Sequence, residues 1–295
     1  VTLHDDEFSI DDALVRSLVD DQLPHLRGLA LRRIETAGTV HVVFRLGDEL
    51  VVRLPRHGAY SDGPQREAAC LPRFIGALPI TVPKYHALGR PSSDYPAHWS
   101  VLEWIEGVIA DRSTIDDLGR AAADLGAFIA AMRCVSTDGA PAGGSDRRLG
   151  LDHVDGDFRR WLARLPEDID RATVLRIWNA CLSVGEWDGP PMWLHGDLRG
   201  DNLLVRDGEL AAVIDWEGCS VGDPSADLLA AWWLFDADSR DRFRSSTGVG
   251  DAEWMRARGW ALFMAVAAIP YYADSHPSFS TQARAALGEV IADEA

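Results

Sequence analysis

Asp197, Asn202 and Asp215 are the residues whose types and spacing point most directly to chemistry. Asn202 follows Asp197 by five positions, and Asp215 lies across a short hairpin signalled by Asp207-Gly208. One tight loop thus carries a carboxylate and an amide, and the hairpin folds the chain back to bring a second carboxylate beside them. Phosphoryl transfer needs such a set. One carboxylate accepts the proton of an acceptor hydroxyl, while an amide and a further carboxylate hold magnesium against nucleotide phosphates. Magnesium is a hard cation that takes oxygen ligands. A metal hydrolase built on His195, Asp197 and Asp215 is disfavoured, because no second histidine stands at ligand spacing.

These side chains need elements to position them. Ile10, Leu14 and Leu18 recur every four residues after a Ser9/Asp12 capping pattern, which predicts a first helix that ends before Pro24. A β pattern follows over 31–36, 40–46 and 50–54, punctuated by Gly38 and by Gly47-Asp48. Residues 65–74 read as a short helix bearing Glu67, and 99–105 as a buried strand closed by Glu106-Gly107. Beyond Gly107 the pattern turns helical. A helix capped by Thr114 and Asp117 runs to about Met132, and 138–150 is a loop rich in Gly, Ala and Asp. Helices follow near 157–165 and 168–184, then a hairpin over 203–214 and a helix start at Asp223-Pro224. The fold class is therefore α+β. Residues 1–107 form a small β-rich lobe and 108–295 a larger, mainly helical one, with a ligand cleft between them.

Composition sets outer limits. The chain has 295 residues, 47% hydrophobic and 25% charged, which supports a sizeable core without a disulfide or metal staple. A net charge of −17 carries no basic footprint for nucleic acid; it repels anionic membranes and attracts cations. Cys70, Cys134, Cys181 and Cys219 form no C-x-x-C pair, sit in apolar surroundings and read as buried small hydrophobes of a reducing compartment. The apolar run 260–269 stops at Pro270 and is too short to span a bilayer. The acidic stretch 1–12 lacks a leader pattern. A soluble cytoplasmic protein is the expectation.

The string His195-Gly196-Asp197-Leu198-Arg199-Gly200-Asp201-Asn202, followed by Ile214-Asp215-Trp216-Glu217 and Gly222-Asp223-Pro224, resembles the aminoglycoside phosphotransferase family. That family shares a bilobal protein-kinase-like fold with choline kinases and macrolide kinases. The resemblance runs from Leu31 to the C-terminal helices. It implies ATP or GTP as phosphoryl donor and Mg2+ as cofactor, with Asp197 the catalytic carboxylate and Asn202 and Asp215 the metal ligands. His195 would organise the loop, and Asp223 would cap a helix. Gly38 and Thr39 would let backbone N–H groups approach the phosphates. Arg53 stands where the family carries a lysine, with Glu67 as its helix partner. Arginine keeps the charge and offers a fork, but is not equivalent to lysine in geometry. Macrolide kinases of the family show a similar arginine followed by a proline, as in Arg53-Leu54-Pro55-Arg56, which makes Arg56 a second candidate. The carbonyl of Glu103 and the N–H of Ile105 would meet the edge of the base, with Trp104 packing at the hinge.

The acceptor is the least constrained part. Trp232 and Trp233 are candidates to line its pocket, and Glu217 and Asp227, with Asp236 and Asp238, are candidates to meet ammonium groups. The expected acceptor is a hydroxyl of an amine-bearing, cationic small molecule, an antibiotic of the aminoglycoside or macrolide type. A metabolite kinase acting on choline, an amino alcohol or a sugar is the alternative. A non-catalytic nucleotide-binding relative is disfavoured by the intact Asp197, Asn202 and Asp215.

Overall fold

The computed structural model describes residues 7–34 and 40–293. A first helix, α1 (Asp12–Gln22), precedes strands β1 (Leu31–Ile34), β2 (His41–Leu46) and β3 (Leu50–Pro55). Helix α2 (Gly63–Cys70) then leads to β4 (Tyr85–Gly89) and β5 (Trp99–Glu103). The five strands form one antiparallel sheet in the order β1-β2-β3-β5-β4. Alternation explains it. Val42, Phe44, Val52 and Leu54 point to one face, where they bury against Val15, Leu18 and Val19 of α1. Each such side chain contributes about 1.5–3 kcal/mol on full burial. The cap of α1 is Asp11, which accepts from Leu14 N at 2.8 Å, and not Ser9. β4 adds to the sheet as an edge strand that the sequence does not predict, because its burial alternates while its residue types do not: Leu88 takes an exposed position.

The second lobe is mainly helical. After β6 (Val108–Ile109) come α3 (Leu118–Arg133), α4 (Asp155–Leu162) and α5 (Arg171–Leu182). The cap of α3 is Asp117 alone, accepting from Arg120 N. β7 (Met192–Leu194), β8 (Leu203–Arg206), β9 (Glu209–Val213) and β10 (Ser220–Gly222) then form two small antiparallel sheets, β10-β7 and β6-β8-β9. The β8–β9 turn places Asp207 at φ 53° and Gly208 at φ 77°, the two left-handed positions of a tight hairpin turn. The chain closes with α6 (Ala230–Trp233), α7 (Ala237–Thr247), α8 (Asp251–Tyr271) and α9 (Pro277–Ala292). α8 runs one residue past Pro270, which lies inside its last turn. No described helix is long and apolar enough to cross a membrane. Cys70, Cys181 and Cys219 are buried as expected, but Cys134 is exposed at the end of α3, where the helix face turns to solvent.

Candidate active site

Strand alternation builds the roof of the cleft. With Val42, Phe44, Val52 and Leu54 in the core, the opposite face presents His41 and Val43 beside Val51 and Arg53. β3 thus aims the Arg53 guanidinium into a cavity of about 440 Å³ between the lobes. Val43, Val51 and Leu102 above and Leu204 and Ile214 below make an apolar slot. Glu103, Trp104 and Ile105 close one end of it. The Trp104 ring is covered by Arg45, whose guanidinium lies 4.6 Å from the ring centre.

The floor is the turn after β7. Gly196 sits at φ 86°, and a Cβ there would come within 2.6 Å of the Gly218 carbonyl oxygen, so only glycine fits. Buried Asp227 pins the turn. Its oxygens accept from the backbone N–H of His195 at 2.6 Å and of Gly196 at 2.8 Å. Burial pushes the Asp227 carboxyl up, against the pull of His195 and these two N–H groups. His195 is fully buried. Its Nδ1 accepts from Asp197 N at 3.3 Å, so Nε2 carries the proton and donates to the Ile214 carbonyl at 3.0 Å. Asp223 caps the following turn by accepting from Ser225 N.

Asn202 donates its Nδ2 to the Asp197 carbonyl at 2.8 Å and to Asp197 Oδ2 at 3.1 Å, which leaves its Oδ1 to meet a cation. Ile214 N donates to the Asn202 carbonyl at 2.9 Å and thereby brings Asp215 alongside. Asp215 is left-handed, φ 66°, an uncommon state for a residue with a Cβ. Its Oδ1 accepts from Arg53 Nη2 at 2.5 Å. Arg53 Nη1 donates to Glu67 at 2.8 Å, and fully buried Glu67 also accepts from Trp216 N at 3.0 Å. One guanidinium therefore ties β3, α2 and the segment after β9 together.

Negative charge exceeds positive around that guanidinium. Arg53 faces Glu67, Asp215 and, at 3.8 Å, Glu217, whose Oε1 lies 2.8 Å from His41 Nε2. Burial pushes the Glu67 carboxyl up to about 7; Arg53 pulls it down and Glu217 and Asp215 push it up further. Burial acts in the same direction on Asp215, but Arg53 and then His41 hold it below the usual carboxylate range. Ligand atoms of His41, Asp215 and Glu217 lie within 4.8 Å of one another. Two carboxylates and an imidazole with surplus negative charge could hold a divalent cation, and magnesium needs only one or two protein carboxylates because it keeps most of its waters.

Asp197 is held differently. Its Oδ1 accepts from Arg147 Nη1 at 2.7 Å and Arg199 Nε at 3.0 Å; its Oδ2 accepts from Arg199 Nη2 at 3.0 Å and from Asn202. Burial would raise this carboxyl, but Arg199 and then Arg147 override it and keep the group ionised far below the ordinary range. Arg147 lies in the stretch read as a plain loop. The segment instead contains a short turn of helix, Asp146–Leu149, capped by Ser145.

The family model for the phosphotransferase enzyme family matches residues 31–260. The chain belongs to that family. No curated protein sequence matches this phosphotransferase. Among solved structures it is similar to the GDP and kanamycin complex of APH(2″)-IIIa, with a TM-score of 0.76, 15% identity and coverage of 96% of this chain and 100% of that one. It is also similar to the apoenzyme of macrolide 2′-phosphotransferase from Brachybacterium faecium, with a TM-score of 0.61, 25% identity and coverage of 92% and 97%. A macrolide 2′-phosphotransferase type I gives a TM-score of 0.64, 20% identity and coverage of 94% and 98%. The architecture of an N-terminal antiparallel sheet and a helical C-terminal lobe is that of the aminoglycoside kinases.

In this phosphotransferase the fold brings Asp197, Asn202, Asp215, Arg53, Glu103 and Ile105 to one cavity, with Glu67 directly behind Arg53. Arg56 turns away, donating to the His41 carbonyl at 3.1 Å and pairing with Glu7 at 3.8 Å. Gly38 and Thr39 lie outside the described residues. The residues expected to meet the acceptor are elsewhere. Glu217 sits with His41 and Arg53, and Asp227 is spent on the turn. Trp232 is fully buried with its Nε1 on Asp293, and Trp233 donates to the Ala261 carbonyl; neither lines the cavity. The reason is packing, because α6 faces α8 and α9 rather than the cleft. Asp236 caps α7. The far cavity wall is instead Arg199, Asp201, Tyr272, His276 and Phe279. Sequence reasoning missed these aromatics, although positions 272, 276 and 279 fall at helical spacing around the α8–α9 junction.

Proposed function

We propose that this protein is a magnesium- and nucleotide-dependent O-phosphotransferase that moves the γ-phosphoryl group of ATP or GTP to a hydroxyl of a small molecule. The observation that carries this reading is the convergence of Asp197, Asn202 and Asp215 on one cavity, with Arg53 bridging Asp215 to Glu67. The apolar slot would take the base, its edge meeting the backbone at Glu103 and Ile105. Arg53 would face the phosphates, positioned by Glu67. Asn202 Oδ1 and Asp215 would hold magnesium, which neutralises charge on the transferring group when bound. Asp197 would accept the acceptor's proton as the hydroxyl oxygen bonds to the γ-phosphorus and the bond from that phosphorus to the β-phosphate oxygen breaks, leaving a nucleoside diphosphate. The two lobes would divide at 103–107, so that hinge and cavity coincide.

A natural-product antibiotic is the acceptor class favoured by the similarity to aminoglycoside and macrolide phosphotransferases. A metabolite kinase is the second reading, favoured by a far wall whose described residues set a single carboxylate, Asp201, beside Tyr272, His276 and Phe279. A nucleotide-consumption screen separates them, with ATP and with GTP, against aminoglycosides, macrolides, amino alcohols and sugars. Turnover only with sugars or amino alcohols would remove the antibiotic reading. Absence of magnesium-dependent turnover with every acceptor would remove the phosphotransferase reading.

A further inference from the structure

The segment 138–149 runs between α2 and the turn after β7 and is bonded to both. At its start, Arg73 donates to the Asp138 carbonyl at 2.9 Å and to the Gly139 carbonyl at 2.7 Å, from the turn that follows α2. Arg66 of α2 itself donates to the Ala142 carbonyl at 2.8 Å. In its middle, Gly144 presses on the chain beyond Asp215: a Cβ there would come within 2.8 Å of the Cys219 carbonyl oxygen. Ser145 N donates to the Gly218 carbonyl at 3.1 Å, and the Arg148 carbonyl accepts from Asp223 N at 3.0 Å. Arg147 projects from this segment to the turn after β7, where one nitrogen, Nη1, donates both to the Gly196 carbonyl and to Asp197 Oδ1. Arg199 and Asn202 also donate to the Asp197 carboxylate, and both line the cavity; Arg147 does not. It holds the carboxylate from behind, whatever occupies the cleft.

With Asp197 taken as the proton acceptor of the function proposed above, we propose that Arg147 is its positioning residue and that 138–149 is a strap through which α2 sets the orientation of that carboxylate. α2 already serves the nucleotide side of the cleft, because its Glu67 accepts from Arg53. The next residue back, Arg66, holds the strap. One helix thus reaches Arg53 through Glu67, and Asp197 through Arg66, the Ala142 carbonyl and Arg147. The bond at the far end is charge-assisted at 2.7 Å, roughly twice as strong as one between neutral groups. Its value lies in alignment. Phosphoryl transfer leaves the protein little covalent work and depends on where the attacking oxygen is held. A misplacement of about 1 Å costs about a hundredfold in rate. A strap that shifts with α2 would therefore align Asp197 only when the helix also holds Arg53 in place.

The test measures single-turnover transfer at saturating magnesium-nucleotide, with kanamycin, a macrolide and an amino alcohol each offered as acceptor. It compares the full chain with Arg147→Met, Arg147→Lys, Arg66→Met, the Arg66→Met/Arg147→Met double variant and Asp197→Asn. Arg147→Met is expected to slow transfer about tenfold or more, with nucleotide affinity and acceptor KM little changed. Arg147→Lys, whose ammonium can still bridge the Gly196 carbonyl and Asp197, is expected to regain part of that loss. Arg66→Met is expected to slow transfer about threefold or more, and to add nothing once Arg147 is gone. Wild-type transfer in Arg147→Met, no recovery in Arg147→Lys, or a double variant whose loss is the product of the two single losses would each overturn the strap. Amide hydrogen exchange over 194–198 gives a reading that needs no acceptor, and it decides the matter if none of the three compounds is phosphorylated. Arg66→Met and Arg147→Met should both speed that exchange; an unchanged rate in Arg66→Met contradicts the coupling. Asp197→Asn separates the two levels: near-wild-type transfer in that variant removes the underlying site assignment, whereas its inactivity beside full transfer in Arg147→Met removes the positioning role alone.

Discussion

At the scale of single residues, Arg53 and Glu67 carry consequences that can be measured separately from turnover of any particular acceptor. Arg53→Ala removes the contact between Glu67 and Asp215 and leaves buried Glu67 with the neighbouring carboxylates. Breaking a buried pair from one side costs about 3–5 kcal/mol. Stability and nucleotide affinity are therefore expected to fall together in Arg53→Ala and to recover in part in Arg53→Lys, by chemical denaturation and calorimetric titration. Identical affinity in wild type and Arg53→Ala would contradict the placement of Arg53 at the phosphates. Glu67 gives a pH signature. Its carboxyl titrates near 7 in the folded protein, against about 4.3 for an unperturbed glutamate. Its contribution to stability is present below the unfolded value and is lost as the pH rises through 7, because the folded state binds the proton more tightly. The stability of wild type relative to Glu67→Gln should thus decline between about pH 4 and pH 8. Curves that stay parallel across that range would show that Glu67 is not perturbed.

At the scale of elements, the turn after β7 is held from beneath by one side chain. Asp227 uses both carboxylate oxygens on two successive backbone N–H groups, and an asparagine has only one oxygen to offer. Asp227→Asn is expected to lose about 1–3 kcal/mol and to lower kcat more than nucleotide affinity, because it loosens Asp197 without touching the roof of the cleft. Thermal unfolding and single-turnover kinetics check both parts. An unchanged kcat in a destabilised variant would make Asp227 a purely structural support. Such elements differ in how plainly the sequence shows them. β2 and β3 are legible because their core positions alternate, and the β8–β9 hairpin because Asp207-Gly208 suits its turn. The α2 helix is legible through Glu67, although it begins at Gly63 rather than at 65. β4 is hidden because Leu88 occupies one of its exposed positions, so burial alternates where residue type does not. Arg147 is hidden for another reason: it meets Asp197 across fifty positions of chain, and nothing local to a Gly-rich stretch marks it. The aromatic wall was obscured by the tryptophans of α6, which look equally suited to a ligand until packing puts Trp232 in the core and Trp233 behind Phe279.

At the scale of the whole molecule, two hydrophobic clusters build the protein, one beneath the N-terminal sheet and one through the helical lobe, with the cavity between them. A ligand that touches both lobes stabilises the arrangement that binds it. Magnesium-nucleotide at about a hundred times its dissociation constant should add roughly 2.7 kcal/mol to the unfolding free energy, and Asp215→Asn should remove most of the magnesium-dependent part. Equal stabilisation of wild type and Asp215→Asn would place the metal elsewhere. The surplus of acidic residues has its own effect, since a net charge of −17 would draw any cationic acceptor over distances that salt screens within about 8 Å. That attraction would act on encounter, whereas the proposed role of Asp197 concerns transfer. The most direct measurement is therefore transfer itself: the rate at which Asp197→Asn moves the γ-phosphoryl group to an acceptor that the wild type phosphorylates, alongside nucleotide affinity in the same variant. The prediction is a fall in kcat of about a hundredfold or more with nucleotide affinity little changed. Near-wild-type kcat in Asp197→Asn would contradict it.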